Sequence, residues 1–312
     1  MTAGAIPVAA RLARPSAAAL LADRPIDPAT ALGRLFAPAH EVAAEVALVA
    51  TVAAAPRRLL GDAADALRLL PQRERERAAI LAAWFEALGA TAGEGDPVEA
   101  RLARLHRSAY LLARGLAGEP SDAPFVRAFA AENERRSFTR PALDTLIAGA
   151  RRAIEHPRPA HAAEWEARLA ESGGAFATAL AGTAASPATI EAVAALARLH
   201  ALAALPVGLA AGRCQLPVEA LPEPLQYRTR QEIAAAVAGE CDALRPQMLR
   251  GARALAEVPL TFRRALAWLL STGFDLLGRI EVHPEALAAA PARLSWWTRH
   301  ATLWRIRRQP LD

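Results

Sequence analysis

The chain has 312 residues, with 37 basic and 32 acidic side chains and a formal net charge of +5. It has no lysine, so every cationic side chain of fixed charge is an arginine. Its two cysteines, Cys214 and Cys241, stand too far apart for a paired-thiol motif, which excludes a disulfide framework and points to a reducing compartment. No apolar core separates Arg11, Arg14 and Arg24, so no secretory signal is expected. No uncharged apolar run approaches the roughly 20 residues that span a bilayer. The basic excess suits an anionic ligand or surface. Zinc-finger spacings, RNP-like aromatic motifs and a basic arm are missing, so nucleic acid is not an expected partner.

Taken in chain order, residues 1–29 hold four prolines and read as an N-terminal arm. Helical periodicity begins near Pro38 and runs to Leu59, and Gly61-Asp62 opens a short helical stretch. Glu74 to Leu88 places Ile80, Trp84 and Leu88 on one face. Pro97 to Leu116 turns Leu102, Leu105, Ala109 and Leu112 inward. Asp122-Ala-Pro124 reads as the cap of a helix reaching Arg136, and Pro141 to Glu155 carries Leu143, Leu146, Ile147 and Ile154. His156-Pro-Arg-Pro159 is a linker, followed by a helix from Ala162 to Gly182. Ser186-Pro187 starts a long apolar helix ending at Gly212, in which Glu191 is the only acid after Ile190. Helices from Arg228 to Ala256 and from Pro259 to Leu277 complete the series. Alternating patterns are scarce, so the expected fold class is all-α, a single large bundle of roughly ten helices.

The landmarks occur in a particular order. Leu35-Phe36-Ala37-Pro38 precedes an apolar helix, then Ala83-Trp84-Phe85-Glu86-Ala87-Leu88, then Asp96-Pro97-Val98, then Pro141 to Arg151. Trp165 to Gly174 (WEARLAESGG) follows, and the next apolar helix closes in Gly212-Arg213-Cys214-Gln215-Leu216-Pro217. In this order the chain resembles the squalene/phytoene synthase family, the head-to-head prenyl synthases, over roughly residues 30 to 280. The resemblance implies the isoprenoid (terpenoid) synthase bundle over residues 30–290, with a Trp/Arg-rich tail at 291–312. Enzymes of that family carry two acidic motifs on facing helices, which hold magnesium and through it the substrate diphosphates. At the first position this chain reads Val52-Ala-Ala-Ala-Pro56-Arg57-Arg58-Leu59-Leu60, and at the second Ala204 and Gly208 stand where aspartates belong. With both motifs missing, the chain looks closer to a degenerate branch of the family that includes a mitochondrial assembly factor of respiratory complex I. The resemblance then implies a non-catalytic protein with a binding or assembly role, no catalytic residue, no cofactor, and an isoprenoid or other lipid as ligand beside a protein partner. The competing reading is a divergent prenyl transferase that condenses farnesyl or geranylgeranyl diphosphate in hopanoid or carotenoid biosynthesis. It requires magnesium and carboxylates to hold it, of which Asp62 and Asp65 with Asp144 or Glu191 are the nearest available.

Individual residues carry the remaining expectations. Arg57 and Arg58 put base where acid belongs and could fork onto an anion without a metal; a solvated helix end explains them equally in kind. Arg136 shares that ambiguity. Arg213 suits either a diphosphate or the negative end of the preceding helix. Glu132 and Glu134 point to different faces, as do Glu164 and Glu166, so neither pair can share a metal. His200 sits in the apolar helix, as a buried hydrogen-bonded side chain or a general base. In the tail, Trp296, Trp297 and Trp304 gather on one side of a helix, with Arg305 and Arg308 toward another. That composition suits a membrane surface, and a groove of the bundle is the alternative seat for the tryptophans. The expected location is cytoplasmic, at the periphery of the inner membrane.

Overall fold

The computed structural model describes residues 27, 29–36, 42–93, 95–210, 213–225 and 228–309, and of residues 42–47 and 58 only the backbone. Most of the predicted N-terminal arm, Pro38, the Arg58 side chain and Gly212 lie outside the described residues. The rest is helical throughout, with no strand among the described residues. The helices are α1 (Ala31–Phe36), α2 (Val42–Leu60), α3 (Gln72–Ala92), α4 (Val98–Leu116), α5 (Pro124–Arg135) and α6 (Arg140–Glu155). They continue with α7 (Ala162–Ala181), α8 (Pro187–Ala203), α9 (Leu205–Ala210), α10 (Arg230–Arg253), α11 (Leu260–Val282) and α12 (Trp296–Arg308). Short 3-10 stretches follow α2 (Gly61–Leu69), α10 (Ala254–Glu257) and α11 (Pro284–Ala288). No helix among the described residues is long and apolar enough to cross a membrane.

Two apolar clusters fill the bundle. One lies among α1 and α3 to α7, around Leu81, Trp84, Leu105, Phe125, Phe129 and Leu146. The other joins α8, α10 and α11 through Leu199, Leu202, Val237, Leu244, Met248 and Leu277. Helices α7 and α8 link the two halves, and the Gly173-Gly174 pair sets their approach. A Cβ on Gly173 would stand 3.0 Å from Val193 Cγ1, and one on Gly174 3.1 Å from Ile190. The paired glycines of the WEARLAESGG stretch therefore serve close helix packing.

Sequence expectations meet three corrections. The helix expected to run unbroken from Pro187 to Gly212 ends at Ala203 and resumes as the one-turn α9. Pro206 lacks the N–H that would bond Leu202 and disfavours helical backbone at Leu205, so the ladder breaks just before it. The cap of α5 is Ala123 with no side-chain hydrogen bond, not Asp122; Pro124 alone preorganises the first turn. α11 runs five residues past Leu277, to Val282, because Leu276, Leu277 and Ile280 all find burial in the second cluster.

Two buried guanidiniums reinforce the packing. Arg198 of α8 forks onto Glu240 of α10, with Nε 2.8 Å from Oε2. Its guanidinium lies 5.2 Å from the Trp165 ring centre. Arg77 of α3 has no solvent exposure at all. Cys214 and Cys241 are both free and buried. Burial, with Glu281, Asp242 and Glu240 nearby, pushes the Cys241 thiol up to about 12.

Candidate functional site

A cavity of about 430 Å³ opens where the end of α2, the end of α8, the middle of α11 and the start of α12 converge. Its apolar wall includes Leu59, Leu60, Ala203, Val207, Leu269 and Leu276. Its polar groups are Arg57, Asp62, His200, Thr272, Arg293 and Arg299. Gly61, with φ of 54°, ends α2 in a left-handed turn and swings Asp62 onto the rim. The loop behind α11 closes one side: Ala292 N–H donates to Ala203 O at 3.2 Å, and Arg279 donates to Arg293 O at 3.1 Å.

Asp62 of this wall and Asp65 behind it are both paired with arginine. Asp65, whose side chain is 5% exposed, accepts from Arg57 Nη2 at 3.1 Å and from Arg299 Nη1 at 2.6 Å. Asp62 stands 2.9 Å from the same Arg299 nitrogen and 3.5 Å from Arg57. Arg68 lies 3.9 Å from Asp65. Guanidiniums thus outnumber carboxylates, and Arg293 meets no carboxylate among the described residues. Arg299 Nε is buried and has no hydrogen-bond partner among the described residues.

Ala204 also lines the cavity and contributes no metal donor. Gly208 lies against the chain just beyond, where an added Cβ would meet Arg213 O at 2.9 Å. Among the described residues no group of three or more His, Cys, Asp or Glu stands close enough to hold a metal ion. Among the described residues the cavity does not fit magnesium: Asp62, the carboxylate of its lining, and the neighbouring Asp65 are both already engaged by guanidiniums. Asp144 and Glu191 do not repair this. Asp144 pairs with Arg140 at 3.1 Å along α6, and Glu191 with Arg250 at 2.6 Å between α8 and α10.

His200 lines the same cavity. Its Nδ1–H donates to Leu196 O at 2.7 Å, which leaves Nε2 as the acceptor of the neutral ring. Burial pushes its pKa down, and the Leu196 carbonyl and the charge of Asp62 offset this only in part. The unfolded chain therefore binds a proton near pH 6.5 that the folded chain resists. Stability is expected to fall as the pH drops through about 6.5, by up to about 1.4 kcal/mol per pH unit. Urea unfolding at a series of pH values between about 7.5 and 5.5 checks this. His200→Gln should flatten the curve in that window, and an unchanged slope in the variant would refute the assignment.

Of the arginines singled out from the sequence whose side chains are described, only Arg57 reaches the cavity. Arg136 forks onto Glu74, at 3.0 and 2.5 Å, and donates to Leu180 O, tying α3 to the end of α7. Arg213 is exposed; its backbone N–H closes a turn onto Gly208 O at 2.8 Å, and its guanidinium lies against Gly93. The sequence left Arg299 without a role, although it completes the cavity wall. It lies 234 positions from Asp65, beyond the reach of any local signal.

Residues 61–304 match the family model described as squalene/phytoene synthase. Among solved structures, the fold is similar to that of a dehydrosqualene synthase crystallised in complex with ligand, with a TM-score of 0.67, 13% identity and coverage of 83% of this chain and 94% of that one. It is similar to the squalene synthase HpnC from Alicyclobacillus acidocaldarius, with a TM-score of 0.62, 18% identity and coverage of 84% and 100%. It is also similar to YisP from Bacillus subtilis, with a TM-score of 0.56, 12% identity and coverage of 85% and 100%. At such identities these neighbours speak to the fold. No curated protein matches the chain. The match spans well over half of the sequence and agrees with the order of its landmarks, and the chain belongs to the squalene/phytoene synthase family.

Proposed function

We propose that this protein is a non-catalytic, degenerate member of its family with a binding or assembly role, and that its cavity receives an isoprenoid-like chain carrying an anionic head. The observation that carries the reading is the pairing of Asp62 and Asp65 with Arg57 and Arg299 at a cavity whose lining also includes Ala204. Ionisation of a prenyl diphosphate needs charge neutralisation at the departing pyrophosphate, and two facing carboxylate clusters would supply it through magnesium. Here the wall presents guanidinium donors in their place. Arg293, which meets no carboxylate among the described residues, suits the head of an anionic ligand, and Leu59, Val207, Leu269 and Leu276 suit its chain.

Thermal unfolding with farnesyl or geranylgeranyl diphosphate, in EDTA and in magnesium, tests this reading alongside a pyrophosphate-release assay. The expected result is a melting point raised by several degrees, equally in both buffers, with no turnover. Arg299→Gln should weaken binding by about tenfold or more. Turnover, or a shift seen only with magnesium, would instead favour the divergent prenyl transferase.

A further inference from the structure

Helix α12 is held by one face and bare on another. Thr302, Leu303 and Ile306 are buried. Leu303 and Ile306 pack on Trp268, Ala265, Ala66 and Leu70, and Trp268 Nε1–H donates to Arg299 O at 3.2 Å. The same helix exposes Trp296 by 51%, Trp297 by 76% and Trp304 by 59%. At 3.6 residues per turn, these three, His300, Arg307 and Arg308 fall within an arc of about 120°. The helix holds no acidic residue, and three of its last four residues are arginines.

The bundle touches this face through Arg68, whose Nη1 lies 3.4 Å from His300 Nε2 and whose carbonyl accepts from Arg307, and the three indoles stay exposed. Trp296 stands edge-on to Trp297, at 4.6 Å between ring centres, and stacks on His300 at 4.0 Å. Arg308 lies 3.6 Å above the Trp304 ring. Arg305 reaches the Ser271 hydroxyl and Arg307 the carbonyl of Arg68, so among the described residues none of the three guanidiniums meets a carboxylate. Packing of the tail and exposure of its indoles are therefore not alternatives: the helix docks through leucine and isoleucine and presents tryptophan outward.

We propose that this face of α12 docks on an anionic lipid surface, with the helix lying in the headgroup plane. Indoles partition into that layer, where the ring is sheltered and the N–H still finds an acceptor. Guanidiniums alongside them fork onto lipid phosphates, and charge complementarity favours an acidic bilayer over a neutral one. Arg299, on the adjoining face of the same helix, bonds Asp62 and Asp65 and so places the cavity mouth beside the docked surface. The docking proposal stands whatever the cavity holds.

The test is flotation of the full-length protein with vesicles of phosphatidylcholine, with and without phosphatidylglycerol, together with tryptophan emission. Of the six tryptophans, Trp84, Trp165 and Trp268 are buried, so a change on adding vesicles reports α12. The expected result is co-flotation and a blue shift with the acidic vesicles only, and quenching by bromine-labelled acyl chains. Replacing Trp296, Trp297 and Trp304 together by alanine should lower the bound fraction on the order of tenfold or more. R305Q/R307Q/R308Q should do the same and abolish the salt dependence. The triple tryptophan variant touches only exposed positions, and circular dichroism checks its fold; the bromine quenching uses the unaltered chain. Unchanged emission with acidic vesicles, equal flotation of the variants, or capture only by a protein partner would overturn the proposal.

Discussion

Replacing Arg77 by leucine is expected to cost about 3–5 kcal/mol, a large share of the about 5–15 kcal/mol by which a whole domain is stable. Arg77 is fully enclosed. Its Nε donates to Leu180 O at 3.0 Å, its Nη1 to Arg136 O at 2.7 Å and its Nη2 to Ala179 O at 2.7 Å. Glu132 stands 3.2 Å away as counterion, and the guanidinium lies 3.8 Å from the Phe138 ring centre. One side chain therefore closes the end of α7 and the α5–α6 turn onto α3. Burial lowers its pKa, and Glu132 opposes that shift. Leucine fills the volume but strands a buried carboxylate and several carbonyls, and the loss comes from those unpaired groups. Arg77→Lys keeps the charge without the fork and should still lose about 2 kcal/mol. Urea midpoints measure both; a loss under about 1 kcal/mol for the leucine variant would show that these contacts are energetically idle.

Asp65→Asn is expected to cost about 3 kcal/mol, with no dependence on magnesium. Asp65 is nearly buried and holds Arg57 and Arg299 together. An amide in its place removes the charge and turns a donor toward two guanidiniums. α12 should loosen from the cavity mouth, which limited proteolysis in the 289–295 loop would detect. Asp62→Asn, at a position with a 40% exposed side chain, should cost less, about 1 kcal/mol, because water screens what it loses. The pair also separates the two chemical readings of this site. If Asp65 were a metal ligand, magnesium would raise the melting point of the native chain, and the asparagine variant would lose that increment. With Asp65 acting as an arginine counterion, melting points with and without magnesium coincide in both proteins.

Legibility differs between the fold and the site. Long amphipathic segments were readable because their periodicity is local. Leu143, Leu146 and Ile154 of α6 are buried where the spacing placed them, and Ser186 caps α8 by accepting from Thr189 N–H. The family was equally legible, from the order of the landmarks. Arg136 and Arg213 illustrate the opposite case. Each is an arginine at a suggestive position, and each is engaged by the fold away from the cavity, on Glu74 and against Gly93.

The amino-acid order alone settled the helical class and the family, because spacing and residue type are properties of neighbouring positions. Only the tertiary structure decided that Asp62 and Asp65 are held by arginines and that α12 packs by one face while its tryptophans stay outside. The physical reason is separation along the chain: an ion pair between residues 65 and 299 exists only after two distant helices have been packed together, and nothing in either segment names its partner.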